Sequence, residues 1–195
     1  MNRFREKVCL VTGGASGIGA KTAEMFVEQG GKVAVCDVDD ALGHELTAQI
    51  VAVSGGDNAI FIHTDDSDPD ACQGAIDQAV SKFGSVDCVL NSAIKMAPGM
   101  LKDLALEDWN SMINVGLTGT FLMTQAAGRW MIDNERPGSI VTMSSIGGVQ
   151  PYGMSGAYST VKAAVIMLAE HFGIEWGSHK AVSYTHLTLP TSDLV

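Results

Sequence analysis

Tyr158 and Lys162 stand four residues apart in Tyr158-Ser159-Thr160-Val161-Lys162, inside a stretch whose apolar pattern predicts a helix from Gly156 to about Trp176. Positions i and i+4 share a helix face, so the ammonium can lie beside the phenol. A free tyrosine titrates at about pH 10, and a neighbouring positive charge favours the phenolate, which suits the pair to general acid/base work. Ser145 follows the expected strand Ser139-Ile140-Val141-Thr142-Met143 and precedes Tyr158 by 13 residues (158 − 145). A hydroxyl at a strand's carboxyl end can hydrogen-bond an oxygen whose charge changes during a reaction. Ser144 is its neighbour, but strand alternation turns it to the other face. Tyr-x-x-x-Lys also arises by chance, as a tyrosine packed on a helix beside a solvated lysine, so the spacing needs support from elsewhere in the chain.

That support comes from the elements that must position the trio. Val8-Cys9-Leu10-Val11-Thr12 is an apolar run suited to a strand buried on both faces, and the stretch from Ala20 to Val27 supplies an amphipathic helix. Between them, Gly13, Gly17 and Gly19 let the backbone turn sharply and approach an anion closely. Ser16 and Ile18 lie in the same turn, where a helix N-terminus offers free N–H groups to a phosphate. The next strand, Lys32-Val33-Ala34-Val35-Cys36-Asp37, ends in a carboxylate 18 residues after Gly19 (37 − 19), near the spacing at which an acid accepts hydrogen bonds from ribose hydroxyls. An acid there repels a 2′-phosphate, which favours NAD over NADP. Its alternative is to cap a helix beginning near Asp39 or Asp40.

Thr12-Gly13-Gly14-Ala15-Ser16-Gly17-Ile18-Gly19 resembles the cofactor-binding motif of the short-chain dehydrogenase/reductase family, whose glycines follow T-G-x-x-x-G-x-G. Ser145, Tyr158 and Lys162 match the family's catalytic serine, tyrosine and lysine in their separations. The resemblance implies that Tyr158 is the general acid/base, that Lys162 supports it and binds the nicotinamide ribose, and that Ser145 orients the substrate oxygen. It also implies a hydride transferred between NAD and a secondary alcohol or ketone. A reductase of 3-oxoacyl thioesters is the neighbouring alternative within the family, and a catalytically impaired nucleotide-binding fragment is the alternative outside it. Asp65, in Asp65-Asp66 after the third strand, falls where the family's acid touches adenine; a turn or helix-capping role is its alternative. Asn91 and Ala93 match two residues of the family's N-N-A-G strand ending, with Asn91 bracing the sheet and Ala93 beside the cofactor. Ser92 and Ile94 depart from that quartet. The family's asparagine in N-L-x-G, which holds a water against the lysine, falls on Gly116. Asn114 lies two residues too early, a rotation of about 200°.

Strands and helices alternate along the chain, with helices expected over 41–53, 71–83 and 107–130 and a third strand over 58–63. The pattern predicts an α/β fold, a doubly wound parallel sheet (Rossmann fold) in three α/β/α layers. Residues 1–180 are expected to form the NAD-binding domain that carries the catalytic residues. The threonine- and serine-rich tail 181–195 reads as unlike the family, as from a truncated gene end or cloning, and leaves the sheet without the family's last strands.

With a net charge of −10 and no basic patch, nucleic acid and anionic membranes are not expected partners. No apolar run reaches the roughly 20 residues that span a bilayer. Cys9, Cys36, Cys72 and Cys88 form no C-x-x-C pair, and the histidines, among them His44, His63 and His171, form no metal motif. The chain therefore reads as cytoplasmic and metal-free, and the resemblance implies a small-molecule alcohol or ketone as its substrate. The resemblance adds a homo-oligomer, dimer or tetramer, built through helices 107–130 and 156–176. Met96, Met100, Tyr152 and Met154, on loops 95–104 and 146–155, suggest a substrate with apolar surface, or else pack those loops down.

Overall fold

The computed structural model describes residues 2–178 and the backbone of 179 and 181–186. β1 (Val8–Thr12) consists of five successive buried residues, as a strand covered on both faces requires. β2 (Lys32–Asp37), β3 (Ala59–His63), β4 (Cys88–Asn91), β5 (Gly138–Met143) and β6 (Ala181–His186) join it in one parallel sheet, ordered β3-β2-β1-β4-β5-β6. The chain runs outward through β2 and β3, then returns to lay β4 on the other side of β1. A crevice therefore opens at the carboxyl ends of β1 and β4, where the winding reverses.

Alternation along the strands splits the core in two. Leu10, Ala34, Ile62, Val89 and Ile140 pack against α3 (Pro69–Phe83) and α5 (Thr120–Asp133), while Val11, Val33, Val35 and Leu90 pack against α1 (Gly17–Glu28) and α2 (Asp40–Ser54). α6 (Gly156–Trp176) lies on the α5 side and sends Trp176 into the first cluster. Helix ends are specified locally. Asp39 caps α2 by accepting the Leu42 N–H, Asp68 caps α3 ahead of Pro69, and Gly55 and Gly84 end these helices with φ of +70° and +82°.

Two features differ from the sequence reading. The helix expected over 107–130 is interrupted: α4 (Leu106–Ile113) passes into a π-helical turn (Asn114–Gly119) before α5 begins. The widened turn brings Gly119 against Asp66, where a Cβ would stand 2.7 Å from the Asp66 Cβ, and the Thr120 hydroxyl donates to the Gly116 carbonyl at 2.8 Å. The sheet also runs past residue 180. Ala181–His186 pairs parallel with β5 from Gly138↔Ala181 to Met143↔His186, so the first six residues of the segment set apart as a tail form β6. Valine, tyrosine and threonine suit a strand, and the right-handed crossover through α6 delivers them to the open edge of β5. The rest of that segment, 187–195, lies outside the described residues. No helix among the described residues is long and apolar enough to cross a membrane.

Candidate active site

The crevice is a cleft of about 420 Å³ that gathers most of the residues singled out in the sequence: Gly13, Ser16, Gly17, Ile18, Asp37, Asp65, Ala93. A larger hollow, about 590 Å³, lies between α1 and α2 at the amino ends of the strands; it contains Gly30 and Asn58 and none of these groups, so the chemistry points to the smaller one. Gly13 and Gly17 have φ of +58° and +54°, a conformation that a side chain disfavours. Their surroundings differ. A Cβ on Gly13 would stand 2.8 Å from the Ala93 Cα, so this glycine is needed for close packing of two backbones, whereas a Cβ on Gly17 would meet nothing within 4 Å. Gly19 is packed on the Gly13 carbonyl. Ser16 caps α1 without a side-chain hydrogen bond to the helix, which leaves the first turn's N–H groups facing an open, glycine-floored space. Such a cradle fits the pyrophosphate of a dinucleotide.

Acids line the other end. Asp37 Oδ2 accepts the Ala15 N–H at 3.0 Å and Oδ1 accepts the Asp39 N–H at 3.1 Å, so it braces the glycine turn while Asp39 does the helix capping. Asp65 Oδ1 accepts both the N–H and the hydroxyl of Ser67, at 2.9 and 2.7 Å; these bonds hold its carboxyl below the usual range and make it a turn-forming residue at the cleft's rim. Asp66 went unassigned in the sequence. It is 5% exposed, lines the cleft, and burial pushes its pKa up to about 7; the Thr12 hydroxyl pulls the other way, and the Asp37 and Asp65 charges add to the rise. Its only signal in the sequence is alternation: if Asp65 faces outward, the next residue faces in.

Thr12 also fastens the far wall, its hydroxyl accepting the N–H groups of Ser92 and Ala93 at 3.3 and 3.2 Å. Asn91 is buried, and its amide donates to the hydroxyls of Thr124 and Thr142 at 2.9 and 3.3 Å, tying β4 to α5 and β5. Its Oδ1 is buried without a partner among the described residues.

The structure brings Tyr158 and Lys162 together beside the carboxyl end of β5, which Ser145 follows by two residues. Lys162 is 6% exposed; its ammonium donates to the Met143 carbonyl at 2.5 Å and stands 5.7 Å from the Tyr158 ring centroid. Burial lowers its pKa from 10.5 to about 8. Tyr158 is half-buried, packed on the cluster of Met112, Ala157, Val161 and Val165. Ser145 Oγ accepts the Gly147 N–H at 3.1 Å, whereas buried Ser144 donates to the Lys162 carbonyl at 2.8 Å and anchors α6 to β5. Asn114 is exposed, away from Lys162, and Gly116 is buried against Ile94 and Val161. Loops 95–104 and 146–155 meet through the Gly99 N–H and the Met154 carbonyl. Met96, Met100, Tyr152 and Met154 stay more than half exposed on them, so these side chains do not serve mainly to pack the loops down.

This architecture and these residues have counterparts in known proteins. The family model for short chain dehydrogenases matches residues 7–190, and the chain belongs to that family. Secoisolariciresinol dehydrogenase of Forsythia intermedia is 37% identical over 177 residues, which are 90% of this chain and 62% of that protein. The chain thus spans less than two thirds of that relative's length. Among solved structures, a short-chain type dehydrogenase/reductase from Mycobacterium marinum superposes with a TM-score of 0.89 at 30% identity, covering 94% of this chain and 74% of that one. The 3-ketoacyl-(acyl-carrier-protein) reductase from Brucella melitensis, solved with NADH, gives 0.84 at 26% identity, covering 93% and 74%.

Proposed function

We propose that the protein is an NAD-dependent oxidoreductase that interconverts a secondary alcohol and a ketone, with Tyr158 as the general acid/base. The observation that carries this reading is the position of the Lys162 ammonium, held out of water beside Tyr158 and bonded to the Met143 carbonyl at the end of the strand that Ser145 follows, next to a crevice that fits a dinucleotide. NAD bound in that crevice supplies the hydride acceptor. In the oxidation, the Tyr158 oxygen would take the alcohol's proton while the carbon passed its hydride to the bound cofactor, leaving the ketone. Ser145 donates its hydroxyl to the reacting oxygen, and Lys162 steadies the charge on Tyr158. Asp37 and Asp65 place two carboxylates along the cleft, where a 2′-phosphate would meet repulsion; this supports NAD over NADP.

The likeness to a 3-ketoacyl reductase favours a second reading, reduction of 3-oxoacyl thioesters by the same residues. The test is turnover on a panel of secondary alcohols and 3-oxoacyl thioesters, followed by the absorbance of the reduced cofactor, with Tyr158→Phe in parallel. Tyr158→Phe is expected to lose on the order of 10²–10⁴ in turnover while binding NAD normally. Undiminished turnover in that variant contradicts the role given to Tyr158.

A further inference from the structure

Ile94 and Gly116 look like two unrelated departures in the sequence, 22 residues apart (116 − 94), but in the fold they are a fitted pair. A Cβ on Gly116 would stand 2.6 Å from the Ile94 Cδ1 and 2.7 Å from the Val161 Cγ1, so the bare π turn is the socket for the isoleucine. The backbone leading to Ile94 cannot yield, because Thr12 holds the N–H groups of Ser92 and Ala93 and Gly13 is packed on Ala93. Among the described residues that line the nucleotide cleft, Ile94 is the one that also packs in the cluster holding Tyr158. It follows β4, on the opposite side of β1 from Asp37 at the end of β2.

We infer that Ile94, seated in the socket of Gly116, is a positioning residue that sets how deeply the nicotinamide half of the dinucleotide seats against Tyr158. The inference rests on the cofactor reading above. With residue 116 bare, the branched side chain turns into the π turn and leaves the cleft open. Any side chain at 116 drives Ile94 back into the space that the nicotinamide half needs, while the adenosine half at Asp37 and Asp65 is untouched.

Calorimetric titration of the whole chain with NAD and with AMP separates the two halves. Gly116→Ala is expected to raise the Kd for NAD by about tenfold or more and to leave that for AMP within about twofold. This is the opposite of the benefit alanine ordinarily brings to a helix. Adding Ile94→Ala to Gly116→Ala removes the contact with Ile94, leaves the one with Val161, and is expected to restore NAD binding to within about twofold of Ile94→Ala alone. Equal losses for NAD and AMP, no loss, or no rescue overturns the inference. Should Gly116→Ala fail to unfold cooperatively, Ile94→Val, which removes only Cδ1, replaces it; a changed NAD affinity with AMP unchanged supports the inference, and no change overturns it. Wild-type chain that takes neither NAD nor AMP overturns the cofactor reading and this inference together, whereas binding of both with no discrimination among variants overturns this inference alone.

Discussion

Lys162 works at a cost to the fold. An ammonium that is nearly out of water is disfavoured even with the Met143 carbonyl accepting its hydrogen bond, and burial lowers its pKa from 10.5 to about 8. Below pH 8 the folded and unfolded chains both carry the charge, so the folded state bears the whole penalty. Between about 8 and 10.5 the folded chain releases the proton first and stability rises with pH. The difference corresponds to ~3 kcal/mol at neutral pH. Lys162→Met is therefore expected to be more stable than wild type at pH 7 by about 1–3 kcal/mol, with the gap closing toward pH 10. Urea unfolding at several pH values checks this, and a variant less stable at pH 7 contradicts it. That Tyr158 and Lys162 share a face was legible because the helix period brings i and i+4 together, whereas Ser145 was singled out by the resemblance. Asp66 was not: its burial depends on Gly119, 53 residues further on (119 − 66), closing over it.

Among the elements, β1, β4 and β5 are joined at their amino ends by Asp87. Its carboxylate accepts the Val8 N–H, the Ser85 hydroxyl and the Lys7 ammonium, each at 3.0 Å, while its backbone bonds Val8 and Ser139. Asp87→Ala strands a buried N–H and is expected to lower stability by about 1–3 kcal/mol, read as a lower denaturant midpoint with unchanged slope. NAD affinity should not change, because the cleft opens at the other end of the strands; a marked loss of affinity would contradict this division of labour. Helix ends were readable from local chemistry, as at Gly55 and Gly84, whereas α3 starts two residues before the expected residue 71, where Asp68 caps it ahead of Pro69. The π turn was not, since Gly116 and Gly119 leave the flanking apolar period helical and only contacts with Ile94, Val161 and Asp66 show why the turn widens.

For the whole molecule, the alternation of strands and helices was enough to derive a doubly wound parallel sheet. β6 was missed because a threonine- and serine-rich segment has no strong pattern of its own, and its place comes from the open edge of β5. Phe121, Met167 and Ile174 leave apolar surface exposed on α5 and α6, which favours self-association through these helices. Light scattering should return a dimer or tetramer, and a clean monomer would contradict that expectation.

The cofactor reading is tested most directly by thermal unfolding of the whole chain with NAD, with NADP and with neither. NAD at 100 times its Kd adds about 2.7 kcal/mol and is expected to raise the midpoint by roughly 5–10 °C, with a much smaller shift from NADP at the same concentration. A midpoint unmoved by NAD, or moved equally by both nucleotides, contradicts the assignment of the acid-lined cleft to NAD.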